Sequence, residues 1–67
     1  MTLRELRIRR GLSLRQVQDL TAIYAPHLSE IERGMRLATP EQLATLADLY
    51  EVPRERWRLL YVNEAAA

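Results

Sequence analysis

Apolar residues recur along this chain at helical spacing, in short blocks separated by residues that cap or break helices. Thr2-Leu3-Arg4-Glu5 has the form of a capping box, so the first helix is predicted to begin at Leu3. Leu3 and Leu6 fall on its inner face and Ile8 falls off it, while Arg10 sits where a cation suits the helix dipole and Gly11 ends the block. Leu12 is left to plug the core before the next helix. Ser13-Leu14-Arg15-Gln16 is a second capping box, followed by Val17 and Leu20 on one face. The pattern breaks at Thr21-Ala22-Ile23-Tyr24, where β-branched and aromatic residues replace good helix formers. It resumes from Ala25 to Arg33, with Leu28 and Ile31 sharing a face and Gly34 placed to stop the helix in a left-handed conformation.

After a short loop at Met35-Arg36-Leu37-Ala38, Thr39-Pro40-Glu41-Gln42 combines an N-cap, a proline at the first helical position and a capping-box glutamine. The spacing of Leu43, Leu46, Ala47 and Tyr50 predicts a fourth helix from about Pro40 to Tyr50. Val52-Pro53 breaks it, and 54–60 is predicted as a fifth helix burying Trp57 and Leu60. In the tail, 61–67, Tyr61 and Val62 are β-formers after a helix and suggest a packed or partner-bound extension.

Sixty-seven residues make one small domain, near the lower limit for a core without staples, and the absence of cysteine removes disulfides and thiolate zinc sites. No apolar run approaches the ~20 residues of a membrane span, and the N-terminal arginines lack the apolar block of a secretory signal. A cytoplasmic protein is expected. The net charge is only +1, but it is unevenly spread: residues 1–36 hold seven Arg against four acids, residues 37–67 three Arg against five. One polyanion-facing side fits that division. All ten basic residues are Arg, whose planar fork suits phosphate or carboxylate better than Lys does.

Two one-faced helices joined by a corner of about four residues, over 14–33, form a helix-turn-helix pattern. The chain further resembles the XRE-type helix-turn-helix family of phage repressors and Cro proteins. The residues that carry the resemblance are Leu3-Arg4-Glu5-Leu6-Arg7, Gly11-Leu12-Ser13, Val17, Ile23, Leu28-Ser29, Ile31-Glu32-Arg33-Gly34, Leu43, Leu46-Ala47, Val52 and Trp57. L-S-x-I-E-R-G preceded by R-x-x-x-G-L-S is its most specific part. The resemblance implies a compact, all-α, five-helix fold of the lambda-repressor type, filling 1–67 as a single domain.

It also implies roles for particular residues. Arg7 and Glu32 would form an ion pair joining the first helix to the end of the recognition helix, a structural bridge rather than a binding site. Base reading would fall to Tyr24, Ala25, Pro26, His27, Ser29 and Glu30, on the side opposite Leu28 and Ile31, with the helix in the DNA major groove. As readers these are unusual: Ala25 and Pro26 offer apolar contact, Glu30 an acceptor for a cytosine amino group, and there is no Arg or Gln for bidentate purine contact. Phosphate contacts are expected from Arg15 and Gln16 at the start of the second helix, and from Arg33 and Arg36 around Gly34. Each arginine alone reads nearly as well as a solvated side chain; their clustering favours the polyanion.

The function so implied is a sequence-specific transcriptional regulator, a repressor-like homodimer on double-stranded DNA, with Trp57, Leu60, Tyr61 and Val62 as the dimer interface. No enzyme activity, cofactor, metal, membrane or small-molecule substrate is expected: one histidine, no cysteine and no glycine-rich loop leave little catalytic material. The chain departs from the family at Leu14 and Leu37, where polar residues are usual, and at Met35, where a cation is. With Tyr24, Ala25 and Pro26 these make an apolar patch, which supports the alternative of a protein-interaction module with a protein partner on the same face. Gln18 replaces a small residue and Ala22 the turn glycine, so the corner's geometry stays open.

Overall fold

A backbone N–H in the first turn of a helix has no partner within that helix, and three of the helices here begin on a hydroxyl that supplies one. Ser13 Oγ accepts from Gln16 N–H at 3.0 Å and Thr39 Oγ1 from Gln42 N–H at 3.1 Å, and each glutamine returns the bond to the cap's own N–H. Thr2 supplies the hydroxyl half alone, accepting from Glu5 N–H at 3.1 Å. In the computed structural model, which describes residues 2–53 together with Glu55 and Arg56, the helices are α1 (Leu3–Arg9), α2 (Leu14–Thr21), α3 (Ala25–Glu32) and α4 (Pro40–Leu49). The described residues are all-helical and contain no strand.

The described residues hold four helices, where the sequence predicts five over the whole chain. Of the expected fifth, only Glu55 and Arg56 are described, in a tight turn with Arg56 N–H bonded to the Pro53 carbonyl at 2.9 Å. The rest of 54–60, including Trp57 and Leu60, and the tail with Tyr61 and Val62 lie outside the described residues.

Three helices end in the same way. At α1 the N–H groups of Gly11 and Leu12 return to the carbonyls of Ile8 and Arg7, at α3 those of Gly34 and Met35 return to Ile31 and Glu30, and at α4 those of Glu51 and Val52 return to Asp48 and Ala47. This is the Schellman closure, which needs a left-handed residue. Gly11 and Gly34 adopt it at φ 68° and 74°, and Glu51 adopts it at φ 57° despite its side chain.

The core comprises Leu3, Val17, Ile23, Leu28, Ile31, Leu43, Leu46, Ala47 and Tyr50. Leu6 and Leu12 pack partly against it, and Ile8 is exposed. Leu20 is a correction: it does not join Val17 in the core but is 61% exposed. The buried stripe of α2 runs instead through Leu14, Val17, Gln18 and Thr21, at i, i+3, i+4 and i+7, which turns Leu20 outward. Leu14 therefore belongs partly to the core and not wholly to an outer apolar patch.

Between α2 and α3 the chain turns on side chains. Ala22 takes the left-handed conformation that a glycine would occupy, at φ 63°. Thr21 Oγ1 donates to the Val17 carbonyl at 2.7 Å and accepts from Ile23 N–H at 3.2 Å. The N-cap position of α3, Tyr24, offers no side-chain bond, and Gln18 does the work from the preceding helix: its Oε1 accepts from Ala25 N–H at 2.8 Å. A long polar residue at this helix contact is thus used as a cap across the corner.

Arg7 joins three segments. Its Nε and Nη2 donate to Glu32 Oε2 and Oε1 at 2.8 and 3.1 Å, and its Nη1 donates to the Leu12 carbonyl at 2.9 Å. With side chains only 13% and 8% exposed, the two ions depend on each other. The bond to Glu32 holds the Arg7 guanidinium pKa above its ordinary value. Beside them, burial and then the Glu32 carboxylate push the Tyr50 hydroxyl up to about 12, partly offset by Arg7.

Four outcomes follow from this architecture. Glu32→Ala should cost about 3–5 kcal/mol by leaving Arg7 buried and unpaired, whereas Glu41→Ala, at an exposed position, should leave the melting temperature within a few degrees of wild type; equal melting temperatures for the two would contradict the bridge. Ala22→Gly should stabilise by about 1 kcal/mol through relief of the left-handed strain, and Gln18→Ala should destabilise by about 1 kcal/mol through loss of the cap, both read by urea titration. Between the ordinary tyrosine value of 10 and the folded value of about 12 the unfolded chain ionises at this position while the folded chain does not. Stability should therefore fall over that window, and Tyr50→Phe should flatten the fall in a melting series from pH 9 to 12.

Candidate nucleic-acid interface

The packing of α2 against α3 and α4 decides which side of α3 is free. Leu28 and Ile31 are buried, so the helix presents its other residues outward. Tyr24 and Pro26 are exposed, while Ala25, His27, Ser29 and Glu30 are half-buried. Ala25 lies three residues before Leu28 and Ser29 three residues before Glu32, on the flank of α3 nearer the core. The Tyr24 and His27 rings meet edge to face with centroids 5.6 Å apart, which fixes both at the exposed start of the helix.

Glu30 does not stand alone. Its Oε2 accepts from Arg36 Nε at 2.8 Å, so an acceptor expected to face a base and a cation expected to face a phosphate form one ion pair. That bond, with the Arg36 charge behind it, holds the Glu30 carboxyl below the usual carboxylate range.

Other arginines stay open to solvent. Arg15 has only a loose pair with Asp19, 3.7 Å apart and exposed on both sides. Gln16 spends its side-chain oxygen on the Ser13 cap, which leaves the amide nitrogen as its donor. Arg33 is exposed, with Nε on the Ser29 carbonyl at 3.3 Å. Arg10 is committed elsewhere, to Glu51 at 3.0 Å and the Tyr50 carbonyl at 3.2 Å. An open cleft runs between α1, the start of α2 and the end of α3, lined by Arg4, Arg7, Leu14, Ser29, Glu32 and Arg33.

Within this cleft Glu32 neutralises Arg7, so its available charge comes from Arg4 and Arg33. Arg4 escapes a reading of the sequence that looks only at the two motif helices. The available signal is that Arg4 and Arg7 stand three apart, and so share a face of α1. The apolar part of the surface is real but reduced: Met35 and Leu37 are 68% and 79% exposed, while Leu14 is half-buried. Met35 is left out because the Schellman closure of α3 sets it opposite Glu30, where an apolar residue would normally meet it.

Among the described residues no group of three His, Cys, Asp or Glu gathers where a metal ion would be held, and no helix is long and apolar enough to cross a membrane.

Comparison with known proteins agrees with this geometry. Residues 1–60 match the family model described as a helix-turn-helix domain. Over 50 residues the chain is 42% identical to the HTH-type transcriptional regulator DdrOP3 of Deinococcus deserti, an alignment covering 75% of this chain and 39% of that protein. The chain thus spans about two fifths of the length of that curated relative. No solved structure matches it. On the match across residues 1–60, with the α2-corner-α3 arrangement that occupies its centre, the chain belongs to the helix-turn-helix domain family.

Proposed function

We propose that this chain is a sequence-specific DNA-binding transcriptional regulator, a repressor-like homodimer that lays α3 in the major groove. The observation that carries the reading is the position of α3: its inner side is locked by Leu28, Ile31 and the Arg7–Glu32 bridge, and its outer side stands free between exposed arginines. Tyr24, Ala25, Pro26, His27 and Ser29 then meet base edges, at the N-terminal part of the helix where such motifs read DNA, and Glu30 faces the same groove with its carboxylate on Arg36. Arg15, the amide nitrogen of Gln16, Arg33 and, added by the cleft, Arg4 meet phosphates and set the register. The dimer interface is assigned to Trp57, Leu60, Tyr61 and Val62, giving two half-sites about one helical turn apart. The transcriptional regulator to which the chain is similar supports this reading.

A second reading has one observation of its own. Met35 and Leu37 after the end of α3, and Tyr24 at its start, are exposed apolar or aromatic side chains that suit a protein partner.

The two separate cleanly in a salt titration. With three open arginines per protomer, a dimer releases roughly six counterions, and affinity for duplex DNA should fall about a thousandfold between about 50 and 200 mM salt. Arg15→Ala should weaken binding to all sequences alike and make that dependence shallower. An affinity that hardly moves with salt would favour the protein partner instead.

A further inference from the structure

Arg36 lies in the loop that leaves α3, yet its side chain returns to that helix. The cause is the turn at Gly34: the N–H of Met35 bonds the Glu30 carbonyl at 2.8 Å, so the chain doubles back and brings Arg36 beside the Glu30 side chain. Nε of Arg36 then donates to Glu30 Oε2 at 2.8 Å, with both side chains partly open to solvent, 45% and 34% exposed. Among the described residues the two terminal nitrogens of Arg36 make no hydrogen bond.

A guanidinium held in this way differs from a solvated one. Its plane is oriented by the carboxylate, and its terminal N–H groups remain as a fork. That fork matches the O6 and N7 acceptors that guanine presents in the major groove. The outward residues of α3 itself carry no arginine or glutamine, and Ala25, Pro26 and Ser29 are too short to offer two donors in one plane. A long bidentate reader therefore comes to this face from the residues that follow α3, and Arg36 is the one held by a side chain of that helix.

We propose that Arg36 is a guanine-reading residue and that Glu30 is its positioning residue, so that one base pair of each half-site is specified from the loop after α3 and not from α3 alone. This rests on the DNA-binding reading above. Because Arg36 is exposed and outside the core, its replacement tests recognition without testing the fold.

The experiment is selection of bound sites from a random duplex library with the full chain, run on wild type, Arg36→Lys, Arg36→Ala and Glu30→Gln, each first shown to be folded by circular dichroism. Wild type should select a G·C pair at one fixed position. Arg36→Lys, which keeps the charge and removes the fork, should lose discrimination at that pair by roughly 10- to 100-fold, with other positions unchanged. Arg36→Ala should do the same, and Glu30→Gln, whose side-chain oxygen still accepts from Nε, should retain the preference in weaker form. The proposal fails if Arg36→Lys keeps the full preference, or if both Arg36 variants lose affinity equally for all sequences, as a phosphate contact would. It fails equally if Glu30→Gln abolishes the preference while Arg36→Lys does not, which makes Glu30 the reader. A wild-type chain with no preferred sequence overturns the DNA reading as well, whereas a preferred sequence indifferent to these variants overturns this proposal alone.

Discussion

The Arg7 side chain is the constraint on which the placement of α3 depends. A small helical domain has few ways to fix the angle of one helix against another, because its core is shallow and apolar contact has no direction. Arg7 supplies direction: two parallel bonds to Glu32 hold the end of α3, and a third bond to the Leu12 carbonyl holds the turn into α2. The same guanidinium thus ties α1 to both helices of the motif. Burial against Tyr50 shields the pair from water, which strengthens the bonds and makes the loss of either partner costly.

The elements of the fold were legible where local chemistry is self-contained. Ser13-x-x-Gln16 and Thr39-x-x-Gln42 each close a reciprocal cap within four residues, and Gly11 and Gly34 each end a helix by their own backbone freedom. Legibility declined where a side chain's partner is distant or its choice is geometric. Leu20 satisfies helical spacing with Val17, but the position of α3 and α4 selects the stripe through Leu14 and Thr21 instead. Gln18 looks misplaced at a helix contact until its oxygen is found on Ala25 N–H, seven residues away across the corner. Ala22 and Glu51 adopt left-handed conformations that their residue types do not announce.

The candidate site shows the same division. Periodicity picks out Leu28 and Ile31 as the buried pair of α3, and of the six residues expected opposite them the structure leaves Tyr24 and Pro26 exposed and Ala25, His27, Ser29 and Glu30 half-buried. What does not follow is how the charges are distributed among partners. Of the arginines near the motif, Arg7 is spent on Glu32 and Arg36 leans on Glu30, while Arg4, Arg15 and Arg33 remain largely available. A net charge of +1 therefore understates the local field on one side of the molecule and says nothing about which cation is free.

This allocation separates stability from recognition within α3. Its inner half is held by Leu28, Ile31 and Glu32, all engaged with other helices, so substitutions there change the fold before they change any contact with a ligand. The outer half carries Pro26, a residue without an N–H donor at the first turn, where no intrahelical bond is lost by it. The helix can then begin abruptly, and its exposed start needs no hydroxyl cap because the Gln18 amide oxygen accepts from Ala25 N–H from behind. Capping from the preceding helix leaves the outward first turn clear of capping side chains, so that end of α3 is held without being covered.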